Sequence, residues 1–171
     1  MDVLAHLEHE HRKTEKLLEQ LQDETEPAKR ARIFDDLVSD LHTHMAVEER
    51  FLYPIVKEVI ARDDAHEATD EHRIIRELLG VAADRIHDGA FGDALDALTA
   101  GIAHHVEEEE NELFPELREK AADRLAELDP EALETAVEED PTRDQLYERA
   151  REQEVDGRST MTKDELREAV D

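Results

Sequence analysis

Residues 44–54 read HMAVEERFLYP, and residues 105–115 read HVEEEENELFP. In each stretch a histidine stands four residues before a glutamate, so both side chains leave the same face of a helix. That face otherwise carries Leu37, Leu41, Leu52 and Ile55 in the first case and Leu98, Ile102 and Leu113 in the second. Such a stripe faces a core. Burying an unpaired carboxylate there is strongly unfavourable, so Glu48 and Glu109 need a counter-charge. A cation is the natural one.

The two stretches belong to a longer repeat. Aligning residue i with residue i+61 without a gap pairs Pro54 with Pro115, His44 with His105 and Glu48-Glu49 with Glu109-Glu110. The same offset pairs Glu10-His11-Arg12 with Glu71-His72-Arg73, and Leu17-Leu18 with Leu78-Leu79. Fifteen of the first sixty positions are identical across it. Two helical hairpins facing each other with pseudo-twofold symmetry are the simplest structure with that register. Apolar periodicity predicts helices over about 2–24, 28–61, 63–87 and 92–123, with Pro54 and Pro115 as kinks or stops near the ends of the second and fourth. Short connections then give an all-α, up-down-up-down four-helix bundle.

Composition agrees. The chain has 171 residues, 4% aromatics, no Trp and five each of Gly and Pro, so its core is built from Leu, Ile, Val and Ala. There is no Cys, which excludes disulfides, thiolate metal sites and Cys nucleophiles. The net charge of −27 disfavours bare contact with nucleic acid or anionic lipid. Acidity spread along the whole chain, with Arg preferred to Lys, suits solubility at high salt and predicts a halophilic protein. The chain shows no leader-like start and no apolar run near membrane-spanning length, so a cytoplasmic protein with no membrane span is expected.

His11 lies on the stripe of Leu4, Leu7 and Leu18, and His72 on that of Ala65, Ala68, Ile75 and Leu79. Four helices therefore bring His11, His44, Glu48, His72, His105 and Glu109 to one level of the core. Imidazole and carboxylate without thiolate suit iron or manganese, and zinc less specifically. Two irons bridged by Glu48 and Glu109, each with two imidazoles, retain positions for a solvent-derived bridge and an exogenous ligand. His6, His9, His66 and His87 have polar neighbours or sit at a helix end, and His42 and His104 point away from the stripe. Glu49 and Glu110 read most simply as solvated-face residues, the alternative being acceptors that orient imidazoles. A ferritin-like site needs paired Glu-x-x-His motifs, and Glu8-x-x-His11 alone fits.

The segments EHRKTEKLL (10–18), HMAVEERFLYP (44–54), EHRIIRELL (71–79) and HVEEEENELFP (105–115) resemble the hemerythrin-like, or HHE cation-binding, family. The resemblance covers residues 1–121. It implies a bundle with two non-haem iron ions that binds dioxygen or nitric oxide, senses oxygen or redox state, stores iron or repairs damaged iron centres. Oxygen carriers of the family place a further His four residues before that of the third helix, where this chain has Ala68. A site with four His instead of five looks more like the iron-centre repair branch.

The remaining chain divides into an acidic helical linker, 123–140, after the bundle of 1–122, and a helix-loop-helix appendage, 141–171. Asp140-Pro141-Thr142 opens one helix, and Thr162, three residues before Glu165, opens another as a capping box. The appendage resembles Rho N-terminal and SAP-like modules, which implies a protein or nucleic-acid partner, with Arg143, Arg158 and Lys163 as its contacts. Three functions share these ligands: gas sensing or scavenging, di-iron redox or iron-centre repair chemistry, and iron holding without gas chemistry.

Overall fold

The computed structural model describes residues 2–153 and 155–170. Every regular element among the described residues is a helix, with no strand. Helix α1 (Val3–Asp23) starts at Asp2, whose carboxylate accepts the Ala5 N–H at 2.9 Å. Helix α2 (Pro27–Val47) runs into a π turn (Glu48–Leu52) and then α3 (Tyr53–Val59). Helix α4 (Arg62–Asp84) follows, and α5 (Phe91–Glu108) runs through a second π turn (Glu109–Leu113) into α6 (Phe114–Lys120). Helices α1 and α2 form one hairpin and α4 and α5 the other. The ring closes where α1 meets α5 and where α2 and α3 meet α4.

The prolines account for the π turns. Pro54 and Pro115 have no N–H to give, and their rings crowd the carbonyl four residues back. Each chain arm absorbs the conflict as one wide turn, in which the Tyr53 N–H reaches Glu48 O and the Phe114 N–H reaches Glu109 O. The helices therefore bend and continue beyond both prolines. The wide turns begin on Glu48 and Glu109 themselves.

Two apolar clusters fill the bundle. Leu4, Leu7, Leu52, Tyr53, Ala68, Leu113 and Phe114 belong to one, and Leu18, Leu37, Leu41, Ile75, Leu98 and Ile102 to the other. Along each arm the residues singled out above lie between the two clusters, His11 between Leu7 and Leu18 and His72 between Ala68 and Ile75. A polar layer thus divides an apolar core.

After α6, the short α7 (Ala122–Leu125) and α8 (Pro130–Glu139) place Leu125, Leu133 and Val137 in the first of those clusters. Arg50 donates to the carbonyls of Ala136 and Asp140, and His6 pairs with Glu134 at 2.7 Å, so α8 lies over the first hairpin. Helices α9 (Arg143–Glu152) and α10 (Lys163–Val170) share a small core of Leu146, Ala150 and Leu166. Thr142 with Gln145, and Thr162 with Glu165, form their capping boxes. Between them Gly157 takes φ +74°, a left-handed turn open to glycine without a Cβ penalty. Arg143 donates to Ser159 and Met161 carbonyls, Arg158 to Val155, and Lys163 to Asp140, so the three expected contacts for a protein or nucleic-acid partner are engaged within the appendage and its junction. Among the described residues no helix is long and apolar enough to cross a membrane.

Leu37 and Leu98 occupy the same repeat position and are both fully buried. Truncating either to Ala is expected to cost about 3 kcal/mol in denaturant unfolding, as for other buried leucines. A loss below about 1 kcal/mol at either position contradicts the packing described.

Candidate metal centre

Each hairpin contributes one pair of imidazoles. His11 and His44 face each other with Nε2 atoms 3.1 Å apart, and His72 and His105 do the same at 3.1 Å. The carboxylates cross between the pairs. Glu48 lies 3.2 Å from His44 Nε2 on its own helix and 3.3 Å from His72 Nε2 on the other hairpin. Glu109 Oε2 lies 3.5 Å from His105 Nε2 on its own helix and 3.5 Å from His11 Nε2. All six side chains are buried, Glu48 completely, and so all six are brought together.

The layer is chemically incomplete on its own. Both oxygens of Glu48, Oε2 of Glu109 and Nδ1 of His44 are buried without a hydrogen-bond partner. Three imidazoles are fixed from behind, His11 Nδ1 by Glu110 at 2.8 Å, His72 Nδ1 by Glu49 at 2.9 Å and His105 Nδ1 by Glu71 at 2.9 Å. A carboxylate on Nδ1 holds the proton there and leaves the Nε2 lone pair facing the layer. Two lone pairs converging at that distance repel unless a proton or a cation lies between them. Metal–imidazole bonds of about 2.1 Å at a right angle separate the nitrogens by about 3.0 Å, against about 3.4 Å at a tetrahedral angle. The observed separation leaves room for one cation at each imidazole pair, and the nitrogen and oxygen donors fit a divalent metal ion.

Without a cation, protons take its place. Burial alone pulls the imidazoles down, but the nearby carboxylate of Glu109, with Glu48 and Glu110, raises His11 above its ordinary value. Glu48 and Glu49 likewise raise His72 against its burial. At His105 burial is outweighed by Glu109 and Glu71, and its pKa is pushed up to about 9. Glu48, which burial would raise, is held well below the carboxylate range by His44 and His72.

Several functional neighbours depart from the sequence reading. Glu49 and Glu110 are half-buried partners of His72 and His11, not solvated-face residues, because the helical turn after each proposed ligand swings them onto the opposite hairpin's imidazole. Glu71 was not singled out, although its place beside His72 in the repeat offered a signal. Its repeat partner Glu10 instead lies with His6 and Glu134, which leaves His44 Nδ1 bare. Tyr53 was also missed. Its buried hydroxyl donates to Glu109 Oε1 at 3.1 Å and lies 3.0 Å from His72 Nε2. The corresponding residue, Phe114, stacks on His11 with ring centres 6.0 Å apart and has no hydroxyl to offer. Burial, then the charges of Glu109 and Glu48, push the Tyr53 pKa well up, so it stays an O–H donor. His42 does point away from the layer, but it is buried beside α9, where desolvation and then Arg76 lower its pKa to about 4.

Residues 2–117 match the hemerythrin HHE cation binding domain, and the chain belongs to that family. It is also 29% identical, over 119 residues, to a protein named DNA nickase from Nostoc sp. (strain PCC 7120 / SAG 25.82 / UTEX 2576). That similarity takes in 69% of this chain and 34% of the other, so the chain spans about a third of that relative's length. No solved structure matches the chain.

The raised histidines set a pH signature. A histidine whose folded pKa exceeds its unfolded one stabilises the fold while protonated, fully so below about pH 6.5, and the contribution disappears as pH rises through about 9, the value for His105. The melting temperature of metal-free protein is therefore expected to fall by about 5 °C or more between pH 6.5 and 9.5. With metal bound, deprotonation favours binding, and the gap between loaded and metal-free protein should widen over the same range. A flat metal-free profile contradicts the proton-filled layer.

Proposed function

We propose that this member of the hemerythrin HHE family is a non-haem di-iron protein that senses or scavenges dioxygen or nitric oxide. In this reading His11, His44, Glu48, His72, His105 and Glu109 would hold the iron. The carrying observation is the crossing of Glu48 and Glu109 between two imidazole pairs: Glu48 turns one oxygen to each pair, and Glu109 turns its Oε2 to both. Iron prefers about six donors, so positions remain for a bridge and a small ligand. Bound iron supplies reversible one-electron chemistry there. The protein's own part is to keep the layer dry between two apolar clusters, to orient three imidazoles through Glu49, Glu71 and Glu110, and to hold one proton at the Tyr53 hydroxyl.

A continuous polar chain supports sensing over simple holding of iron. Asp144 at the start of α9 pairs with Arg76 at 3.2 Å, Arg76 donates to Glu49 at 2.9 Å, and Glu49 accepts from His72 Nδ1. A change of charge at the metal alters what Glu49 holds and so what Arg76 offers to α9. In this reading residues 141–171 form a separate small module that passes the change to a protein partner. The DNA named for the Nostoc relative is not carried over, because this chain's net charge of −27 opposes a phosphate backbone. Ala68, in place of a fifth histidine, favours a second reading, redox or iron-centre repair chemistry, over reversible oxygen carriage.

Protein purified without oxygen should hold about two irons per chain, and its optical and EPR spectra should change on adding dioxygen or nitric oxide. His44→Ala and Glu109→Ala should each lose at least half of the metal, while Tyr53→Phe should keep it and alter only the response to the gas. Fewer than about one tightly bound metal per chain, or spectra indifferent to both gases, would falsify this reading.

A further inference from the structure

The two halves of the bundle differ at the surface outside Glu109 and outside its repeat counterpart Glu48. Beside the second hairpin a cleft of about 130 Å³ is walled by Asp64, Glu67, Glu71, Glu108, Glu112 and Glu116, with Ala68 and Leu113 between them. Glu109 lines its inner end. No Lys or Arg lines the cleft among the described residues, although Lys120 reaches Glu116 from outside. At the rim Glu71, Glu108 and His104 bring ligand atoms within 4.8 Å of one another.

Acidic residues alone do not make a site, but here they lead to a specific atom. Glu109 is 2% exposed, and its Oε2 has no hydrogen-bond partner while lying 3.5 Å from His11 and His105 Nε2. An acceptor without a partner at the foot of an anionic passage is placed to draw in a cation.

The repeat supplies an internal control. Subtracting 61 turns Asp64, Ala68, Glu108, Glu112 and Glu116 into Val3, Leu7, Val47, Phe51 and Ile55. Those five side chains sit in an apolar cluster with Leu133 and Val137 of α8. Glu67 becomes His6, which is tied to Glu134 of the same helix. The first hairpin's mouth is thus apolar, blocked by Leu7 and capped by α8. The second is acidic, open and floored by the smallest side chain with a Cβ.

We propose that the acidic cleft beside Ala68 is the port through which a divalent metal ion reaches the buried layer, and that the corresponding mouth under α8 is closed. This rests on the metal-binding reading of the six-residue layer. An anionic, low-dielectric passage raises the local concentration of a cation and its rate of arrival, most strongly at low ionic strength. Passage past Ala68 needs room as well as charge, so the two requirements separate by mutation. Electrostatic steering weakens as salt screens it, whereas steric width does not.

The test is stopped-flow loading of metal-free, full-length protein with Co²⁺, followed by its visible ligand-field absorption, with final occupancy from elemental analysis and helix content from far-UV circular dichroism. Glu67→Gln with Glu112→Gln should slow loading about three- to tenfold at about 0.1 M salt, with the difference closing near 1 M, where the Debye length is about 3 Å. Ala68→Leu, which copies Leu7 of the closed mouth, should slow loading about tenfold or more at both salt concentrations, with final occupancy unchanged. Glu131→Gln with Glu138→Gln changes net charge equally on exposed positions of α8 and should load at the wild-type rate. The glutamine pair lies at the solvent rim and decides the question even where Ala68→Leu disturbs packing. Full occupancy reached at the wild-type rate in the cleft variants overturns the port and leaves the metal site standing. A wild-type protein that takes up no Co²⁺ overturns the metal site, and the port with it.

Discussion

Two carboxylates in the middle of an apolar bundle set the terms for everything around them. Glu48 and Glu109 are almost without solvent, and three of their four oxygens have no hydrogen-bond partner. Like charges this close and this dry are tolerated only with positive charge between them. The positive charge must lie between the hairpins, because each carboxylate belongs to one hairpin and reaches an imidazole of the other. Whatever fills the layer, protons or metal, therefore also joins the halves of the fold. The apolar clusters on either side can pack only if the layer between them is neutralised.

Much of this was legible in the chain because helical periodicity and an ungapped repeat are local signals. A histidine and a glutamate four apart on a leucine stripe, twice and in register, leave little freedom for where the side chains go. The wide turns at Glu48 and Glu109 were less legible, since a proline in a helical pattern announces a conflict without saying how it is relieved. Glu49, Glu71 and Glu110 escaped for another reason. Each orients an imidazole on a different helix, and an acidic chain offers dozens of glutamates with the same local surroundings. Only tertiary placement separates an acceptor for His105 from a solvated neighbour.

The duplication itself explains which residues were hardest to read. A repeat makes equal things visible, so the paired histidines and glutamates stood out, while most features that distinguish the halves appear as mismatches in the same alignment. Tyr53 against Phe114 is one such mismatch, and it gives a hydroxyl to one imidazole pair alone. Glu71 and Glu10 differ without a mismatch, because the residue is the same and its surroundings are not. Glu71 reaches His105, whereas Glu10 is drawn toward His6 and Glu134 by a helix that has no counterpart on the second hairpin.

That helix is where symmetry is lost physically. Once α8 covers the first hairpin, the residues beneath it are apolar and the imidazole of His44 lacks the support its three companions have. The corresponding face of the second hairpin, which no described helix covers at the cleft, keeps charged walls and a small side chain, Ala68. A pseudo-symmetric set of four imidazoles and two carboxylates then sits in an asymmetric shell. Two ions held by the same six side chains would differ in access, in the orientation of one imidazole and in the presence of a single O–H group. The carboxylates add a further difference, since Glu48 turns a separate oxygen to each imidazole pair while Glu109 turns Oε2 to both and gives Oε1 to Tyr53.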